Sequence, residues 1–273
     1  VSRRVLPGLG LSLGVTLIYL GLIVCLPLGA LIFKAASLGP EAYWRIISSP
    51  RAVASYQITV LAALVATAVN IVFGLGLAWV ITRYRFPGRR LLDAMVDLPF
   101  ALPTAVAGIA LTSLFASNGW LGSTLEAIGV RVVYTPLGIM VAMIFTSLPF
   151  VVRTVQPVLE DLDPALEEAA LSLGSGDGRI FRKVLLPLLM PALLAGTSLS
   201  FARSLGEFGA IIFIAGNQPF YTEITALLAF IRLEEYDYPA TAAIASVMLI
   251  TAFVMLAITN VMQARALRYM ERG

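Results

Sequence analysis

Residues 58–81 read ITVLAALVATAVNIVFGLGLAWVI, an apolar run that contains no charged residue. A helix rises about 1.5 Å per residue, so roughly 20 residues cross the ~30 Å hydrocarbon core of a bilayer. The run is therefore read as a membrane-spanning helix. Five similar runs flank it, at about Leu9–Phe33, Pro99–Phe115, Pro136–Val152, Pro191–Ile214 and Ala240–Val261. The third is short and opens on Pro99 and Pro103, which leaves its boundary the least defined. These runs predict an all-α polytopic membrane protein with six transmembrane helices.

Composition agrees. Of 273 residues, 59% are hydrophobic and 13% charged, against about 45–50% and about 25% in soluble domains. So few charges cannot cover a water-facing surface. Cys25 is the single cysteine and sits inside an apolar run, which excludes an intrachain disulfide framework and a cysteine zinc cluster. There is no histidine, so Ser-His-Asp hydrolysis and histidine-ligated metal catalysis are not expected, and no metal site is predicted. The formal charge of +3 is spread between apolar runs, which is a membrane pattern and not that of a nucleic-acid-binding domain.

The basic residues set an orientation. With the N-terminus inside, Arg3, Arg4, Arg83, Arg85, Arg89, Arg90, Arg153, Arg179, Arg182, Lys183, Arg265, Arg268 and Arg272 all fall on the inner side. The outer segments hold only Lys34, Arg45, Arg51, Arg131 and Arg232. Both termini are accordingly expected in the cytoplasm. Ser2-Arg3-Arg4 before an apolar run could open a signal peptide, but the run exceeds the 7–15 residues of a signal core and no small-residue cleavage site follows. A retained first span is expected. Residues 1–56 then form the first span and an outer loop, 57–262 the core, and 263–273 an inner tail.

The inner loop at about 153–187 is more patterned than a linker. Asp163-Pro164 reads as a helix start, and Glu167 and Glu168 lie where carboxylates oppose the helix dipole. Leu166, Ala169, Ala170 and Leu173 recur at i, i+3, i+4 and i+7, making one apolar stripe. Gly174-Ser175-Gly176 ends that helix. Asp177 can cap a second one, with Ile180, Phe181, Val184 and Leu185 on its buried side. Two roles remain open for the first helix on these grounds. It either lies on the membrane surface or docks its small Ala-Ala face into a partner's groove.

Glu168-Ala169-Ala170, three residues, Gly174, nine residues and Val184-Leu185-Leu186-Pro187 resemble the EAA motif of ATP-binding-cassette importer permeases, E-A-A-x3-G-x9-I-x-L-P, with Val184 for isoleucine. The resemblance implies a type I importer permease (MetI-like) fold. It also implies that Glu167, Glu168, Ala169, Ala170, Leu173 and Gly174 couple to an ATPase subunit. ATP and magnesium would then belong to that partner, with no cofactor in this chain. Further segments are similar to the sulfate/molybdate branch, closest to the T-type permeases of sulfate/thiosulfate importers. They are Thr82–Arg89, Leu98–Thr104, Ser147–Pro157, Ser200–Ala210, Phe230–Leu233 and Asp237–Ala240. The implied assembly has a second permease chain of W type, two ATPase subunits and a periplasmic sulfate/thiosulfate-binding protein, in a bacterial inner membrane. Sulfate, thiosulfate, molybdate and tungstate are all near-tetrahedral dianions, and the residues alone do not separate them.

Arg203 sits within the fifth run, where a charge costs about 2.5–3.5 kcal/mol on insertion scales. Glu207 is four residues on and within reach, although Arg before Glu is the weaker order for such a pair. The pair either holds helices in register or lines an anion path with Ser200 and Ser204. Contact with the second permease chain is a third role. The last outer loop carries Glu223, Glu234, Glu235 and Asp237 against Arg232. A mouth of that sign repels a free dianion, so Glu223, Arg232, Glu234 and Glu235 are candidates for docking a binding protein that delivers the anion enclosed. Solvated loop charge is the plainer alternative.

Two other function classes compete. A stand-alone secondary transporter would use Arg203 and Glu207 as its own site, but such proteins commonly show inverted repeats, and none is visible here. A membrane-integral enzyme is disfavoured by the lack of histidine and of clustered intramembrane acids. ATP hydrolysis by this chain is not expected, because it contains no GxxxxGK phosphate loop.

Overall fold

Proline opens many of the helices, as expected of a residue that has no N–H to lose at a helix start. The computed structural model describes residues 9–270, and the described elements are all helical. They are α1 (Leu9–Ala36), α2 (Pro40–Ile47), α3 (Pro50–Arg83), α4 (Arg89–Val96), α5 (Leu98–Ala101), α6 (Thr104–Phe115) and α7 (Trp120–Ala127). There follow α8 (Pro136–Asp161), α9 (Ala165–Ser172), α10 (Asp177–Leu205), α11 (Gly209–Ile214), α12 (Thr225–Glu234) and α13 (Tyr238–Met270). Of the arginines behind the predicted orientation, Arg3, Arg4 and Arg272 lie outside the described residues, as does the side chain of Arg268.

Five of these helices, α1, α3, α8, α10 and α13, are long and apolar enough to cross a membrane. A bent pair, α6 and α7, meeting at 46°, is long and apolar enough for a sixth crossing if the two act as one span. The run expected over Pro99–Phe115 is instead helical from Thr104 and separated from the short α5 before it. Leu102 is extended (φ −88°, ψ 134°) because Pro103 disfavours the helical conformation before it, so α5 stops and α6 starts afresh.

The run expected at Pro191–Ile214 also differs. Helix α10 begins much earlier, at Asp177, and passes through Pro187 and Pro191. A wide turn over Phe181–Leu185 precedes Pro187, in which the Leu186 N–H donates to the Phe181 carbonyl five residues back. Such a turn relieves the crowding that the proline ring imposes on the preceding turn. At the other end α10 stops at Leu205. Gly206, Glu207 and Phe208 form a break, after which α11 packs against α6.

The centre of the bundle is α3 lying along α8, with α10 packed on both and α13 on α10. One core, toward the α12 end, gathers Ala62, Ala66, Ile139, Met143, Phe201 and Ile211. The other, toward the α9 end, gathers Ala78, Ile81, Val151, Val155 and Leu189. Small residues set the spacing. A Cβ on Gly196 of α10 would lie 3.0 Å from the Val151 Cα and would run into the Thr154 hydroxyl. That glycine is what lets α8 and α10 pack backbone to backbone. The exposed apolar faces of α1, α3 and α13 are those expected of surfaces solvated by lipid.

Candidate functional site

Local chemistry builds α9. The Ala165 N–H donates to the Asp163 Oδ1 at 2.9 Å, closing the start that Asp163-Pro164 announces. At the other end Gly174 has φ +76°, the left-handed conformation that glycine adopts freely. Its N–H donates to the Leu171 carbonyl at 2.9 Å and the Ser175 N–H to the Ala170 carbonyl at 3.1 Å. These are the paired bonds of a Schellman cap. Nothing lies within 4 Å of a Cβ at this position, so backbone conformation and not space calls for glycine.

The helix so capped buries none of its residues. Leu166, Leu171 and Leu173 are exposed, Leu173 at 86%. Of the predicted stripe, Leu166, Ala169 and Leu173 are exposed and Ala170 is partly exposed, and nothing among the described residues buries it. Ile180 and Leu185 are buried as expected, holding the start of α10 to the bundle. The two adjacent glutamates part company. Glu168 is exposed, whereas the Glu167 Oε1 lies 2.6 Å from the Arg83 Nη2 at the end of α3.

Arg203 and Glu207 do meet. The Arg203 Nη1 stands 2.8 Å from the Glu207 Oε2. Glu207 is not on the same helix, however, but in the break after it. Its carboxylate is wholly buried, and its Oε1 accepts the Ala210 N–H at 3.0 Å, satisfying a donor at the start of α11. Arg203 keeps 30% of its side chain exposed. The pair thus closes the break with one end shut in and the other open.

Ser200 and Ser204 are fully buried and hydrogen-bond across helices instead of facing Arg203's open side. Both hydroxyls donate to the Ser147 Oγ of α8, at 3.1 and 3.0 Å. The Asn70 Nδ2 of α3 reaches the same oxygen at 2.8 Å. This polar knot joins the three central helices at mid-span. Asn70 and Ser147 were not among the residues singled out above, and a lone asparagine inside residues 58–81 was the available signal.

At the α12 end, Glu223 is buried and gripped from two sides. The Arg51 Nε donates to its Oε2 at 2.8 Å and the Arg51 Nη2 to its Oε1 at 2.7 Å. Such fork pairing neutralises a carboxylate that burial would otherwise penalise. Arg232 pairs with Glu235 at 2.8 Å on the surface, beside exposed Glu234. Only Arg232, Glu234 and Glu235 of the four docking candidates are presented outward. A further clasp, not read from the sequence, closes the α9 end. The Arg153 Nε and Nη2 donate to both Asp97 oxygens at 2.8 and 2.7 Å, and its Nη1 to Asp93 at 2.6 Å, fastening α4 to α8.

Residues 70–269 match the family described as binding-protein-dependent transport system inner membrane component. The chain belongs to that family. The permease component is 58% identical over 264 residues to the sulfate transport system permease protein CysT of Salmonella typhimurium, covering 97% of this chain and 95% of that one. The protein of the same description from Escherichia coli K12 is also 58% identical, with the same coverage. That from Synechocystis is 48% identical over 93% of this chain and 89% of its own length.

Among solved structures, a bacterial alginate ABC transporter in complex with its alginate-bound periplasmic protein contains a chain of similar fold. The TM-score is 0.77 at 19% identity, covering 94% of each chain. A chain of the inward-facing MetNI methionine transporter gives 0.61 at 17% identity, covering 78% of this permease component and 95% of that chain. At these identities the likeness is one of fold. It shows an all-helical fold like theirs.

Proposed function

We propose that this chain is the membrane-spanning subunit through which an ATP-driven importer carries sulfate and thiosulfate. Identity of 58% to sulfate permeases across nearly the whole chain carries this reading. In it, the uncovered stripe of α9, with Glu168, Ala169, Ala170, Leu173 and Gly174, seats in a cleft of an ATPase subunit. That partner holds ATP and magnesium and performs the hydrolysis. A second permease chain of W type completes the path, a second ATPase subunit completes the motor, and a periplasmic binding protein delivers the anion near Arg232, Glu234 and Glu235. Both termini face the cytoplasm.

Transport then follows from differential contact and not from chemistry within this chain. ATP closes the two ATPase subunits, α9 moves with them, and the central helices α3, α8 and α10 exchange an inward for an outward opening. Arg203 stands on α10 with its guanidinium accessible, held at its buried end by Glu207. A fixed cation so placed attracts a dianion without trapping it in a closed cage.

The test is competition uptake in cells lacking this chain, with and without its restoration. Labelled sulfate uptake should return on restoration, with thiosulfate competing at concentrations at least about tenfold below those at which molybdate does. Restored uptake that molybdate suppresses first would move the substrate to molybdate or tungstate.

A further inference from the structure

Helix α9 presents a mechanical difficulty. It has eight residues, none buried, and a helix this short is marginal on its own. A partner that seated on it could tilt it or peel it away while the spans stayed where they were. Something must make its displacement the displacement of the bundle.

Three elements meet at one cation beside it. Arg83 is the last residue of α3, and its Nη2 lies 2.6 Å from the Glu167 Oε1 of α9. The two atoms that meet are shut off from solvent, although each side chain keeps an exposed portion. One turn back, the Trp79 ring lies under the guanidinium, with 5.4 Å from the Arg83 Cζ to the ring centroid. Trp79 in turn meets Phe181 edge to face at 5.6 Å between centroids, and Phe181 opens the wide turn of α10. The approach is a charge contact and not a hydrogen bond, since the Arg83 Nε and Nη2 and the Glu167 Oε1 have no hydrogen-bond partner, and the indole face meets the same cation. Shielding from water strengthens both contacts.

We propose that Arg83 is the positioning residue that couples α9 to the transmembrane helices, and that Glu167 works inward on its own chain and not at the ATPase surface. Motion imposed on the exposed stripe is passed through Glu167 to Arg83, and so to α3. From Arg83 that helix continues unbroken for 34 residues, roughly 50 Å. It carries Asn70 of the mid-span knot and, near its other end, Thr59, whose Oγ1 accepts the Thr225 N–H of α12 at 2.8 Å. A pull at Arg83 therefore arrives at both the mid-span cluster and the α12 end. Through Trp79 and Phe181 the same cation braces α10, so α3 and α10 move together. The proposal rests on α9 being the docking helix, and adds which residue transmits the load.

The experiment uses the full transporter, reconstituted with its ATPase subunits and binding protein, and reads three quantities: ATPase co-purification, ATP hydrolysis, and sulfate taken up per ATP hydrolysed. Glu167→Gln and Arg83→Gln should leave co-purification intact and lower uptake per ATP by about tenfold, the size of a typical coupling between sites. Arg83→Glu alone should be at least as defective, and the exchange Arg83→Glu with Glu167→Arg should recover most of the ratio. Recovery by the exchange also answers the objection that single variants merely misfold. An exchange no better than its parents, or single variants with an unchanged ratio, overturns the proposal. Loss of co-purification in Glu167→Gln would overturn it too, by placing Glu167 at the ATPase surface. The docking reading has its own control: Leu173→Glu should lose co-purification. Retained co-purification overturns the docking reading and the load path with it, whereas lost co-purification with a failed exchange overturns only the assignment to Arg83.

Discussion

Leu173→Glu leaves the membrane bundle folded and removes the ATPase subunits from it. Leu173 is 86% exposed, touches no core cluster, and ends the stripe just before the Gly174 cap. Its loss therefore takes no packing from this chain. On the proposed docking, the same side chain is buried in the partner's cleft. Removing a leucine from such a site costs about 1.5–3 kcal/mol, roughly ten- to 150-fold in affinity. A glutamate forced into the cleft adds the penalty of an unpaired buried charge. The expected result is loss of ATPase co-purification by at least about a hundredfold with a monodisperse membrane chain on size exclusion. Retained co-purification with normal transport would remove α9 from the interface.

The second large effect is at the break in α10. Arg203→Ala deletes the cation beside a carboxylate that has no exposure of its own. An uncompensated buried charge costs about 3–5 kcal/mol; Arg203's partial exposure places this pair toward the lower figure. Glu207 also accepts the Ala210 N–H, so it cannot simply swing away without freeing a donor at the start of α11. Folded yield and melting temperature should both fall in Arg203→Ala. Adding Glu207→Gln removes the charge while keeping an oxygen for that N–H, and should restore the folded protein. If Arg203 lines the path as proposed, sulfate uptake should stay at least about tenfold down in the double variant, because that cation is still missing. If the double variant transports normally, Arg203 only holds helices in register.

What the residues announce, they announce locally. Apolar runs name the spans, because crossing a bilayer is a demand on composition over about 20 consecutive residues. The capped helix at Asp163–Gly174 is legible because each capping bond spans only a few residues. Boundaries were lost where polar and conformational effects compete. Pro103 moves the start of the third run to Thr104 and Glu207 sits in the break after α10, yet both lie within or beside otherwise apolar runs.

Partnerships were lost where they are distant in sequence. Arg51 and Glu223 are 172 residues apart, and the Asn70, Ser147 and Ser200 knot needs three helices already in place. Glu167 and Glu168 are the sharpest case. Neighbours on a helix point about 100° apart, so one turns to Arg83 and the other to solvent. Their adjacency in the motif hides that difference, and only the position of α3 reveals it.

The most direct measurement of the central claim is labelled sulfate uptake into proteoliposomes. The vesicles contain this chain, the second permease chain and loaded binding protein, with or without the ATPase subunits. Uptake should require both ATP and the ATPase subunits and should fall to background when either is withheld. Sulfate accumulation that persists without the ATPase subunits would contradict the account and make the chain a transporter that drives itself.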